Sequence, residues 1–397
     1  MAARFWVGGS GTWDATSILN WAATSGGAPL ASAPTTADTV TFDANSGTAA
    51  TVTVAATATC STCTVNKADI NLSLSGSPTF VGALTLTTGT LTLNTFTLTA
   101  LTFSSSNSNT RAIAFGTGAI TITGNAATVC ALTTATGFTV SGTPNVNFTY
   151  SGATGTRILN MASVATGITE ANSININVSA GSDSITMTGG ARNLNFTGFS
   201  GTLTANTFSR TIYGNLTFSA GMTLSADTGI VTFASTSGTQ TITTNNKVID
   251  TPLTFDGVGG TFQFADALTQ GAKGFTITNG TVKLKAGTSN SIGFFVTGAG
   301  TTQRFLQSTV PGSRATITDP GGTNSATYLT IQDVAATGGA TWNAYTSNSN
   351  VDAGNNSGWV FFGPANGLSH GNGLFAGVSG LTNANNGLYG GFPGLSE

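Results

Sequence analysis

Charge is scarce in this chain. Only 7% of its 397 residues are Asp, Glu, Lys or Arg, against about 25% in an ordinary soluble domain. Disorder driven by charge is not expected, and hydroxyl and amide side chains must keep the surface in water. The 12 Lys and Arg are scattered and the net charge is −2. No basic stripe is visible that would neutralise phosphates, and no polybasic segment that would hold a membrane surface, so nucleic acid is not an expected partner. No run approaches the ~18 apolar residues of a spanning helix, so membrane insertion is not expected. Good helix-forming runs are missing too; 162–172 has room for a turn or two at most.

Cysteine is equally sparse. Cys60, Cys63 and Cys130 cannot form a dense disulfide framework. Cys60-Ser61-Thr62-Cys63 has CxxC spacing but sits among β-forming residues, away from any strand-to-helix junction. A zinc site would want a second ligand pair, and the sole histidine is His370. The cysteines read as small buried or half-buried side chains of open redox state, and neither metal nor other cofactor is expected. The first residues, Met1-Ala2-Ala3-Arg4-Phe5-Trp6, lack the apolar core of a secretory signal. With a surface-type composition, this favours a protein that folds in a host cytoplasm and meets the outside on a released particle. The alternative is an extracellular or cell-surface protein whose signal has been removed.

What the chain does have is period-two patterning. Leu84-Thr85-Leu86, Leu91-Thr92-Leu93, Phe96-Thr97-Leu98 and Leu101-Thr102-Phe103 alternate apolar and hydroxyl residues, and Ile113/Phe115 and Ile120/Ile122 continue the series. Alternation puts Leu and Phe on one face and Thr on the other. Units of about three to five residues are too short for stable isolated hairpins, but suffice when each stacks on its equivalent in the next turn of a solenoid. Asn193-Leu194-Asn195-Phe196-Thr197 is echoed 22 residues later by Asn215-Leu216-Thr217-Phe218-Ser219, and after 37 more by Pro252-Leu253-Thr254-Phe255-Asp256. The first spacing suits one coil of a three-faced β-helix; the second requires coils of unequal length. The expected fold is all-β, a parallel β-helix, with tandem β-sandwich modules as the alternative.

A solenoid hides its strand edges except at its ends, where open edges template aggregation. All five tryptophans, Trp6, Trp13, Trp21, Trp342 and Trp359, lie where caps are needed. The expected layout is an N-terminal cap or attachment region over 1–45, a β-helix body with its C-terminal cap over 46–362, and an extended arm over 363–397. In that arm Gly-Leu pairs recur at spacings of six, seven, seven and seven. Glycine at every repeat opposes a coiled coil, so Leu368, Leu374, Leu381, Leu388 and Leu395 are read as docking anchors into a neighbouring subunit.

Particular stretches carry a family resemblance. Trp6-Val7-Gly8-Gly9-Ser10-Gly11-Thr12-Trp13 with Asn20-Trp21 resembles the opening of many β-solenoid surface proteins, including autotransporter-type passengers and phage proteins. Phe103-Ser104-Ser105-Ser106-Asn107-Ser108-Asn109-Thr110-Arg111, followed by Phe115-Gly116-Thr117-Gly118, resembles a repeat unit of bacteriophage and prophage structural proteins. Gly338-Gly339-Ala340-Thr341-Trp342 through Asn355-Asn356-Ser357-Gly358-Trp359-Val360-Phe361 is similar to the final coil of phage-encoded right-handed β-helices. The likeness touches most of residues 4–362. It implies a structural virion protein of fibre, spike or decoration type, exposed on the particle, and supplies no catalytic residues. Its expected partners are copies of itself, a trimer being favoured, other virion proteins and a host surface glycan. A cell-surface adhesin is the second reading.

The enzymatic alternative is a polysaccharide depolymerase. Glycoside hydrolysis needs two carboxylates about 5–5.5 or 6.5–9.5 Å apart, and stacked coils could pair Asp227, Asp250, Asp256 and Asp266, or Asp319 and Asp333. Each reads more simply as a turn residue capping its own backbone. Carbohydrate grooves usually present Trp or Tyr rings, yet 46–340 holds no Trp and only Tyr150, Tyr213 and Tyr328. A Ser-His-Asp or Cys-His device would have to recruit His370 from the Gly-Leu arm. No enzyme activity is expected.

Overall fold

The computed structural model describes residues 1–125, 127–204 and 209–362. Within Met1–Phe362 the chain winds into a parallel β-solenoid of about 14 turns, 48% strand and 2% helical. Tandem sandwich modules are thereby excluded: nearly every strand pairs in parallel with the strand one coil away, where a sandwich would pair neighbours in antiparallel fashion.

Each coil supplies three faces. The first stacks Ala3–Trp6, Thr39–Phe42, 62–65, 83–86, Thr102–Ser104, Thr128–Leu132 and Thr156–Met161. The second stacks Gly11–Trp13, Thr51–Val54, 71–74, 90–92, Arg111–Ala114 and Phe138–Ser141. The third begins with Thr97–Ala100 and continues through Ala119–Ile122, Asn145–Phe148, Asn175–Val178, Leu194–Asn195, Leu216–Thr217 and Thr239–Thr243. Alternation does the sorting: in Thr97–Ala100, Leu98 and Ala100 are buried while Thr97 and Thr99 are half-exposed. The parity breaks at the next corner, so Leu101 is 41% exposed and Phe103 returns to the core.

Coil length varies because the loops between faces vary. On the third face 30 residues separate Val146 from its partner Ile176, but only 18 separate Ile176 from Leu194. The echo between 193–197 and 215–219 is a true rung, Leu194 on Leu216. The echo at Pro252 is not: Leu253 stacks on Val231, on a different face from Leu216. Its 37-residue offset is one coil, to Ile242, plus two corners, with Val248–Ile249 on the face between them.

Some strands exceed the expected length because they run round a corner. Thr62–Leu74 has 13 residues and Ala83–Thr92 has 10, and their pairing slips between Val65 and Asn71. Gly89 makes the bend, with φ 91 and a carbonyl so close that a Cβ would sit 2.5 Å from the Lys67 oxygen. The segment 162–172 contributes a single 3₁₀ turn, Val164–Thr166, closed by Gly167 in the left-handed conformation.

The interior is a continuous column of aliphatic and aromatic side chains. Phe233 and Phe255 stack at 5.2 Å, Phe255 meets Phe275 at 5.0 Å, and Phe275 meets Phe295 at 6.2 Å. Identical or similar residues on consecutive rungs bring like side chains into register, so offset stacking adds to the burial of each ring.

Candidate binding trough and the residues that frame it

The third face carries a feature that sequence parity and parallel stacking build together. Asn145-Val146-Asn147-Phe148, Asn175-Ile176-Asn177-Val178 and Asn193-Leu194-Asn195-Phe196 point Val, Ile, Leu and Phe inward, so their asparagines face out. Two outward columns result, 145–175–193–215 and 147–177–195–217. Asn175 Nδ2 donates to Asn145 Oδ1 at 2.9 Å, and Asn193 Nδ2 donates to Asn175 Oδ1 at 2.7 Å. The backbone N–H of Asn215 donates to Asn193 Oδ1 at 2.6 Å, and that of Thr241 to Asn215 Oδ1 at 2.7 Å. In the second column Asn177 Nδ2 donates to Asn147 Oδ1 at 3.0 Å.

Asn145, Asn175, Asn177, Asn193, Asn195 and Asn215 line a recess of about 240 Å³. Asn193 and Asn215 also line a second recess of about 560 Å³, walled by Glu170, Arg192, Tyr213, Ser237 and Gln240. The two share residues and form one trough along the solenoid axis.

A strap forms the wall. After the 3₁₀ turn the chain crosses several coils, and Glu170 reaches residues more than sixty positions away. Its carboxylate accepts from Ser235 Oγ at 2.9 Å, from the Thr236 N–H at 3.1 Å and from Thr236 Oγ1 at 2.7 Å. Arg192 Nη2 donates to the carbonyls of Glu170 and Ala171, and Tyr213 donates its hydroxyl proton to the carbonyl of Ile168. Burial opposes ionisation of Glu170, yet the hydrogen bonds from Thr236 and Ser235 and the charge of Arg192 win, holding its pKa below the ordinary value. Burial, with Glu170 adding its negative charge, raises that of Tyr213.

Inside the coils lie four arginines that composition did not reveal: Arg111, Arg157, Arg210 and Arg304, none more than 5% exposed. Arg157 meets Asp183 through Nε at 2.8 Å and Nη2 at 2.7 Å, with Tyr150 and Phe199 rings 5.5 and 5.6 Å from its charge. Arg210 pairs with Asp227 at 2.9 Å. Arg111 donates to the carbonyls of Ser105, Asn109, Thr134 and Thr136 and to the Ser105 hydroxyl. Arg304 likewise donates to the carbonyls of Thr278, Thr327 and Ala299. The signal was in the text: each stands two residues before an inward Ile or Leu (Ile113, Leu159, Ile212, Leu306) and so occupies an inward position.

The structure puts the tryptophans at the two ends of the column. Trp6, Trp13 and Trp21 are fully buried, with edge contacts of 5.0 Å for Trp6–Trp21 and 5.5 Å for Trp13–Trp21. Trp21–Ala22 folds back antiparallel onto Phe5 and Trp6, beside the first rung. Trp342 and Trp359 meet edge to face at 4.9 Å. The anchors Leu368, Leu374, Leu381, Leu388 and Leu395, and His370, lie outside the described residues. The three cysteines are free and buried; burial, reinforced by Cys63, raises the pKa of Cys60, and burial by itself pushes that of Cys130 up to about 12.

Four of the acids considered for hydrolysis have hydrogen-bond partners in turns and ladders. Asp266 accepts the N–H groups of Thr244 and Asn245, Asp256 accepts from Asn279, Asp319 accepts from Asn324, and Asp333 accepts from Asn355 and the Gly312 N–H. Asp227 and Asp250 are brought together: they stand on adjacent rungs, the Asp227 N–H donates to the Asp250 carbonyl, and both line one recess with Arg210, which pairs with Asp227. Among the described residues no group of three or more His, Cys, Asp or Glu converges on a metal-sized site.

No protein-family model, curated protein or solved structure matches this chain.

Proposed function

We propose that this chain is a structural protein of a bacteriophage particle, a stiff surface solenoid of fibre, spike or decoration type with no enzymatic role. The observation that carries the reading is the uninterrupted parallel stack of about 14 turns, hydrophobic inside and clad in Thr, Ser and Asn outside. Such a body resists bending because each coil is hydrogen-bonded to its neighbours along its whole circumference. A nearly charge-free exterior limits nonspecific association with nucleic acid and membranes. The hydrogen bonds that take up Asp256, Asp266, Asp319 and Asp333 support a mechanical role, and the phage assignment rests on the sequence resemblance. Attachment falls to 363–397, through Leu368, Leu374, Leu381, Leu388 and Leu395, docking onto symmetry-related copies in a trimer or onto other virion proteins.

Immunogold electron microscopy with an antibody to residues 46–350, on particles from the producing culture, tests the assignment. Gold at one reproducible site on the particle is expected. Unlabelled particles beside detectable protein in the lysate would sink the virion reading and bring a cell-surface adhesin forward. Deleting 364–397 is expected to leave the fold intact and weaken assembly; loss of folding would refute the docking role.

A further inference from the structure

We propose that the asparagine trough binds a neutral glycan whose chain lies along the solenoid axis. This ligand assignment does not depend on the virion assignment, because the trough is complete within one chain.

The shape suits an extended ligand. From the rung of Asn145 to that of Asn215 there are three steps, each ~4.8 Å, or about 14 Å of amide-lined floor. The step is close to the length of one sugar ring, so successive residues of a glycan would meet equivalent rungs.

The floor also offers the right chemistry. An amide carries both donors and acceptors, and the ladder uses only part of each set. Asn177 Oδ1 and the Nδ2 groups of Asn195 and Asn215 bond to no other described residue, while their partner atoms are fixed within the protein. A pair of adjacent sugar hydroxyls can take an N–H from one asparagine and give an O–H to another. Because the ladder already holds the amide planes, little side-chain entropy is lost on binding.

Charge decides between glycan classes. Among the described residues, the charged groups lining the trough are Glu170 and Arg192; the Glu170 carboxylate is held by Ser235 and Thr236, Arg192 Nη2 by the carbonyls of Glu170 and Ala171, and the floor itself is uncharged. An acidic polymer finds no free cationic row, so neutral sugars are favoured. Tyr213, the aromatic ring of the wall, is only 8% exposed. Affinity therefore comes from hydrogen bonds with little stacking, a weak single contact that display in several copies would strengthen.

The test uses the full-length chain and neutral linear hexasaccharides of glucose, mannose, galactose and N-acetylglucosamine, with a hexauronate as acidic control. Binding is read by saturation-transfer NMR and calorimetry. At least one neutral oligomer is expected to bind with little salt dependence. Asn177→Ala, which removes a rung, and Thr217→Arg, which fills the second column, are each expected to weaken it at least about tenfold at unchanged Tm. Thr217 lies outside the ladder hydrogen bonds, so its variant keeps the test informative if Asn177→Ala unfolds. No neutral binding at millimolar sugar, equal binding by folded variants, or salt-sensitive binding of the uronate alone would each overturn the proposal.

Discussion

Replacing Arg157 by Met should open the middle of the solenoid without disturbing its far end. Arg157 and Asp183 have fully buried side chains and share two hydrogen bonds, at 2.8 and 2.7 Å. Removing the cation leaves an ionised carboxylate in a low-dielectric interior, which typically costs about 3–5 kcal/mol, more than the intact pair is worth. In a stack where coils contact only their neighbours, that cost is local. A single global unfolding free energy is thus a poor readout, and amide hydrogen exchange is the better assay. Protection in Thr156–Met161 and Ser184–Ala191 should fall by roughly two to three and a half orders of magnitude, while Gly274–Leu284 and Leu329–Gln332 should keep wild-type rates. Adding Asp183→Leu to Arg157→Met should restore most of the protection, since an apolar pair of similar volume leaves no stranded charge. The reasoning fails if the single variant changes exchange by less than about tenfold, if the double variant is no better, or if the loss spreads over every coil.

The remaining expectations concern the ends, the strap and the thiols. Trp21→Ala should remove about 3–5 kcal/mol of core packing near the first rung and expose the edge of Ala3–Trp6, so light scattering should report concentration-dependent association that the parent lacks. For Glu170, the folded pKa is depressed, so its contribution is complete above its unfolded value of about 4.5 and is lost as pH falls through the lower folded value. Exchange of the 163–172 amides should therefore accelerate below about pH 4.5, and Glu170→Gln should abolish that acid dependence. With Cys130 pushed up to about 12 and all three thiols buried, a thiol reagent at pH 8 should label the native protein negligibly; rapid labelling of Cys130 would contradict the packed interior.

The repeated Thr-apolar alternation was enough to specify short strands, their inward side chains and a stacked rather than hairpin architecture, because the two-residue period is a local property of extended backbone. It marked Leu84, Leu86, Leu98, Ile120 and Ile122 as interior from neighbours alone. Composition likewise fixed a nearly uncharged surface. Which rung lies on which could not be read locally. The similar texts at 215–219 and 252–256 face different sides of the coil, since corner loops of unequal length set the register and only stacking reveals it. The asparagine columns have the same origin: Asn145, Asn175, Asn193 and Asn215 are 30, 18 and 22 residues apart in the chain, and only parallel pairing makes them adjacent. The buried arginines and the Glu170 strap went unseen for a related reason. A charged residue in a strand reads as exposed until a carbonyl cage or an acid from another coil is in place to receive it, and that partner exists only in three dimensions.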